Sequence, residues 1–175
     1  MKVLTNIPIE LSFDEIVKLL LKEGTKRKRP NKQLILGIQE QITFAKQYIN
    51  TRAIYDIFDS KMLYPRDLFT LAEKTILAIV TISKELEEKV SELLTQGHLS
   101  QGVILDAIAS QAAEDLAEKI YQLVIEEQRD LLTNKKYTQR FSPGYCRWEL
   151  AEGQKLIFDL LPAKAINVKL SSSML

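Results

Sequence analysis

One stretch restricts the fold more than any other: the helical run from Ser100 to Leu132. Within it Ile104, Ile108, Ala112, Leu116, Ile120 and Leu123 return every three or four residues, so they share one face of an α-helix. A stripe that long has to be covered by other elements, and the rest of the chain supplies candidates. Ser12-Phe13-Asp14-Glu15 reads as a capping box that opens a short helix through Leu19, Leu20 and Leu21, ended by Gly24. Asn31 can cap a second helix with the stripe Leu34, Ile35, Ile38, Ile42, Ala45 and Ile49. Ser83 caps a third, Lys84 to Gln96, stopped by Gly97. Leu150 to Leu161 forms a further helix, closed by Pro162.

Strand signals alternate with these helices. Ala53 to Phe58 is rich in β-branched and aromatic residues. Thr75 to Ile82 is a continuous apolar run, the pattern of a strand covered on both faces. Lys136 to Phe141 reads as extended, Ser142 to Tyr145 as a turn, and Ile166, Val168 and Leu170 alternate with polar residues as a strand would. Separated strands among helices predict an α+β fold, a mixed or antiparallel sheet flanked by helices, and 175 residues suit a single domain over 1–175.

Composition decides a few questions of function. Lys+Arg is 24 against Asp+Glu 23, which removes the electrostatic argument for non-specific nucleic-acid binding. The basic run Lys26-Arg27-Lys28-Arg29-Pro30 reads as a solvated loop between helices rather than a phosphate patch, since no aromatic or second basic cluster accompanies it. A single cysteine, Cys146, forbids an internal disulfide and fits a reducing compartment. Met1 to Leu11 lacks the apolar core of a signal peptide, and the longest apolar run, Ile76 to Val80, is too short for a bilayer. A cytoplasmic protein without a membrane partner is expected. There is one histidine, His98, and one cysteine, and no cluster has the spacing of metal ligands, so no metal site is expected. No nucleophile elbow, dinucleotide fingerprint or phosphate-binding glycine loop occurs.

Two features remain that could meet a ligand. Ser110, Glu114 and Glu118 lie four residues apart on the long helix, with Ala113 and Ala117 beside Glu114. Small neighbours leave room for a ligand to reach the carboxylate, although a solvated acidic face has the same pattern. The second feature is Arg140-Phe141-Ser142-Pro143-Gly144-Tyr145. Arginine offers a planar fork for a carboxylate, Pro-Gly a tight turn whose backbone can approach a ligand, and Tyr145 a flat face with a hydroxyl. That set suits an amino-acid-like ligand carrying a heteroaromatic ring, and equally an ordinary turn before a helix.

The same residues carry a family resemblance. Arg140 to Tyr145 resembles the Arg-x-Ala/Ser-Pro-Gly-Tyr motif of the activation domain of vitamin B12-dependent methionine synthase. Leu105 to Glu118 resembles that domain's preceding long helix. Trp148, Phe158 to Leu161 and Lys169 to Met174 follow in matching order. The likeness runs from about Ile76 onward.

The resemblance implies an α+β domain that binds S-adenosylmethionine and supports reductive methylation of cob(II)alamin. The cobalamin would be held by a partner, a methionine synthase core or other corrinoid protein, with a flavodoxin- or ferredoxin-type electron donor. It further implies that Arg140 binds the ligand carboxylate, that Ser142, Gly144 and Tyr145 contact the ligand, and that Glu114 faces its polar end. This chain has Ser110 where the family often has an acid. The family also continues past the position of Met174 with further strands and a ligand-contacting tyrosine, so a truncated pocket is expected here. A sensor that binds S-adenosylmethionine without delivering its methyl group, or an adaptor without ligand, are the alternatives.

Overall fold

The computed structural model describes residues 1–21, 29–129 and 137–170. In chain order these form β1 (Lys2–Thr5), α1 (Phe13–Leu20), α2 (Lys32–Ala45), β2 (Arg52–Asp59), α3 (Arg66–Phe69) and β3 (Lys74–Thr81). They continue with α4 (Lys84–Thr95), α5 (Leu99–Glu127) and α6 (Leu150–Leu160), with 3₁₀ turns at Ser60–Met62 and Ala163–Ile166. The architecture is α+β, with a three-stranded antiparallel sheet in the order β1-β2-β3. The chain divides into two compact units. One comprises Met1–Thr5, Arg52–Val80 and Ile120–Leu175, the other Asn6–Thr51 and Thr81–Lys119.

In the first unit, β1 pairs antiparallel with β2 in the register Lys2↔Tyr55, Val3↔Ile54, Leu4↔Ala53 and Thr5↔Arg52. Behind the sheet lies a core of Ile54, Leu63, Phe69, Leu77, Ile79, Trp148, Leu161, Ala163 and Ile166. β3 departs from expectation. Leu77 and Ile79 are buried while Ile76 and Ala78 are exposed, so one face is covered rather than both. It is an edge strand of a small sheet, and a run of apolar residues cannot reveal how many layers it will receive.

The strand expected over Ile166 to Leu170 is absent. Ala163–Ile166 is a 3₁₀ turn, Asn167 follows at φ 62, and the Val168 N–H donates to the Ala163 carbonyl at 3.1 Å. Asparagine tolerates the left-handed region, and a tight turn that buries Ile166 reproduces a period of two over so few residues. Residues 137–141 likewise form no strand. β1 and α3 were not foreseen, being too short for a periodic signal.

In the second unit the capping residues act as read. Ser12 Oγ accepts the Glu15 amide at 3.4 Å, Asn31 Oδ1 the Leu34 amide at 2.8 Å, and Ser83 Oγ the Leu86 amide at 3.1 Å. α2 stops at Ala45, so Ile49 falls beyond its stripe, and α4 ends at Thr95 with Gly97 at φ 83. On α5, Ile104, Ile108, Ala112 and Leu116 are buried. Further along the same helix, in the first unit, Ile120 is buried and Leu123 half-buried. The helix ends at Glu127, and residues 130–132 of the expected stretch lie outside the described residues, as do Gly24, Lys26 to Lys28, Lys136 and Ser171 to Met174.

Also in the second unit, residues 6–11 form a strap that α5 holds with polar side chains. The Asp115 carboxylate accepts the Glu10 amide at 2.8 Å, the Gln111 amide donates to the Glu10 carbonyl at 3.1 Å, and Lys119 Nζ donates to the Pro8 carbonyl at 2.8 Å. On its other side the strap is held by the Thr51 hydroxyl, which donates to the Ile7 carbonyl at 2.7 Å.

Candidate functional site

The Arg140–Tyr145 motif lies in the first unit, suspended between two aromatic anchors. Upstream, the Tyr121 hydroxyl of α5 donates to the Thr138 carbonyl at 3.2 Å, and the Tyr121 and Tyr137 rings stand 6.3 Å apart. Downstream, Phe141 meets Trp148 edge-on at 5.8 Å, and Trp148 in turn meets Phe69 at 5.5 Å and 89°. Trp148 is only 3% exposed, while Arg140, Ser142, Gly144 and Tyr145 are all exposed, Tyr145 at 68%. The segment thus roots one large ring in the core and presents the polar residues around it to solvent.

Three backbone bonds set the turn. The Tyr145 N–H donates to the Ser142 carbonyl at 3.1 Å, the Trp148 N–H to the Tyr145 carbonyl at 2.8 Å, and the Gly144 N–H to the Trp148 carbonyl at 2.7 Å. Gly144 sits at φ 91, where glycine alone is comfortable, and Cys146 and Arg147 follow at φ 52 and 64. Each of those two side chains costs about 1–2 kcal/mol in the left-handed region, so packing around the loop has to hold it there. The Gly144 amide is consumed inside the loop. What this turn offers a ligand is therefore the side chains of Arg140, Ser142 and Tyr145 and the remaining carbonyl lone pairs, more than the glycine N–H.

Glu114 belongs to the second unit, midway along α5, and is exposed with Ser110 and Glu118. Ala113 and Ala117 beside it are half-buried, and Ala107 and Ala109 are buried. The neighbouring row Gln111, Asp115 and Lys119 carries no sequence signal that separates it from solvated surface, since its spacing is the same. Only the strap gives it a purpose.

The second unit also contains a groove of ≈ 980 Å³ along the strap, lined among others by Asn6, Ile9, Glu10, Tyr48, Asn50 and Glu85. None of the five expected ligand residues lines it. Among the described residues no group of three or more His, Cys, Asp or Glu could hold a metal ion, and no helix is long and apolar enough to cross a membrane.

Among the described residues, a strongly perturbed ionisable group lies elsewhere in the first unit. Burial, and then the Glu127 carboxylate that accepts its hydroxyl at 2.6 Å, push the Tyr55 phenol well above its ordinary value. Lys2, 2.7 Å from the same carboxylate, and Tyr55 hold Glu127 below the usual range. Lys2 on β1, Tyr55 on β2 and Glu127 at the end of α5 form a tie between elements, with the tyrosine kept protonated rather than readied for chemistry.

The chain matches no protein-family model and no curated protein.

Proposed function

We propose that this chain is an S-adenosylmethionine-binding activation subunit, which presents the methyl donor to a cobalamin held by a separate corrinoid protein. The observation that carries the proposal is the preset turn: Arg140 and Tyr145 exposed on either side of Ser142-Pro143-Gly144, on a loop rooted in the core through Trp148. The residues suit the donor's parts. Arg140 pairs with its carboxylate through a charge-assisted fork, Tyr145 lays a ring against its adenine, and Ser142 contributes a hydroxyl. Glu114 is assigned to the ligand's polar end by the resemblance alone.

This chain supplies no redox centre from its described side chains in that reading; it binds and orients. The partner's cobalamin, given one electron by a flavodoxin- or ferredoxin-type donor, would supply the methyl acceptor, with S-adenosylhomocysteine as the other product, while Arg140, Ser142 and Tyr145 hold the donor. The test follows the cobalamin absorbance spectrum in a single turnover with chain, S-adenosylmethionine, electron donor and cob(II)alamin-loaded partner, omitting each in turn. Methylation at an unchanged rate without this chain would end the proposal. Calorimetry on Arg140→Ala should show binding weakened by about 1.5–3 kcal/mol with the fold intact. Binding without any effect on that rate would favour a sensor.

A further inference from the structure

Gly153, in α6, faces the turn at a distance no other residue would permit. A Cβ at this position would lie 2.7 Å from Pro143 Cβ, 2.8 Å from Pro143 Cγ and 2.8 Å from Trp148 Cε2. Those neighbours have little freedom to yield. Pro143 is a rigid ring inside the turn, and the indole is clamped edge-on between Phe69 and Phe141. Trp148 is also fixed by its backbone, whose N–H and carbonyl both bond within the loop. The indole Nε1 is buried without a hydrogen-bond partner, so the ring is held by shape alone and no polar contact ties it down. An unpaired buried donor is unfavourable by about 1–3 kcal/mol, which the close packing of α6 has to offset.

We infer that Gly153 and Trp148 are positioning residues for the ligand turn. The bare backbone of α6 at Gly153 lets the helix press against Pro143 and the indole. This contact holds Gly144, Cys146 and Arg147 in the left-handed region from which Arg140, Ser142 and Tyr145 are presented. The inference rests on the ligand reading of the turn given above. Its physical content, that the packing at Gly153 dictates the conformation of the turn, can be read without any ligand.

Gly153→Ala is the decisive variant, measured on the full chain beside wild type, Trp148→Phe and the double variant. Trp148 is the chain's single tryptophan, so its emission reports this site and nothing else. Gly153→Ala should redden that emission and open it to acrylamide quenching, with far-UV circular dichroism unchanged. S-adenosylmethionine affinity should fall by about tenfold or more, the scale expected when binding groups are displaced by a fraction of an ångström to an ångström. The Trp148→Phe background removes the indole contact at 2.8 Å and leaves those to Pro143, so the same substitution should weaken binding less there than in wild type, by about threefold. Should Gly153→Ala alone fail to fold, recovery of the folded state in the double variant reports the same clash. Unchanged emission and affinity in Gly153→Ala, or equal effects in both backgrounds, would overturn the inference. If wild type binds no S-adenosylmethionine, the proposed function fails, and emission and quenching still decide whether Gly153 sets the turn.

Discussion

Glu114 and Asp115 are adjacent in the chain, and the helix turns them to different tasks. Asp115 accepts a backbone amide of the strap, whereas Glu114 sits on the exposed row with Ser110 and Glu118. A carboxylate that serves a ligand should matter to binding and little to folding. Glu114→Gln is therefore expected to lower S-adenosylmethionine affinity while stability stays within about 0.5 kcal/mol of wild type. Calorimetry and urea unfolding on the same preparation separate the cases. Unchanged affinity returns Glu114 to a solvated face, and lost stability with intact binding makes it a structural partner. Around the turn, the residue types of the motif were legible in the sequence. The fate of the Gly144 amide was not, because its acceptor is the carbonyl of Trp148, four residues on, and loop hydrogen bonding follows from the backbone path.

At the level of elements, α5 shows how far a periodic pattern reaches. Its apolar stripe identified the helix and its buried face, since burial of every third or fourth side chain is what the spacing encodes. The polar row Gln111, Asp115 and Lys119 obeys the same spacing, yet its partners are backbone groups about a hundred residues earlier. Asp115→Ala leaves the Glu10 amide without its acceptor and should cost about 1 kcal/mol in urea unfolding. Ser110→Ala, on the exposed row of the same helix, should stay within about 0.5 kcal/mol. Equal effects at the two positions would mean the strap contributes nothing to stability. The 3₁₀ turn at Ala163–Ile166 is the opposite lesson: five residues of alternation satisfied a strand's period and a turn's burial alike.

Across the whole molecule, net charge says little, and part of the pH response should come from one tie between elements. Lys2 and Tyr55 lower the Glu127 carboxyl, so the folded state binds its proton more weakly than the unfolded chain does. That contribution is fully present above the unfolded value of about 4.3 and is lost as pH falls through the lower folded value. Tyr55 is raised, so the folded state keeps its proton longer, and stability should decline as pH climbs past the unfolded value of about 10. Urea midpoints between acid and neutral pH should fall less steeply in Glu127→Gln than in wild type. Part of the slope should persist, because the amino terminus also lowers Asp56, which the backbone amide of Ile57 supports. A slope identical to wild type would show that the Lys2–Glu127–Tyr55 tie does not survive in solution.

What the sequence determined by itself was local: the helix caps at Ser12, Asn31 and Ser83, the stripe of α5, the β2 strand, the turn at Ser142–Tyr145 and the α+β class. Each leaves a short-range mark in cap chemistry, periodicity or residue type, even where, as in β2, the hydrogen bonds run to a distant strand. The tertiary structure alone decided that β3 lies at an edge, that residues 166–170 turn instead of extending, that the polar row Gln111, Asp115 and Lys119 holds a strap, and that Gly153 abuts Pro143 and Trp148. Those outcomes depend on which distant surface arrives opposite each residue. Packing geometry of that kind leaves no periodic trace in the chain.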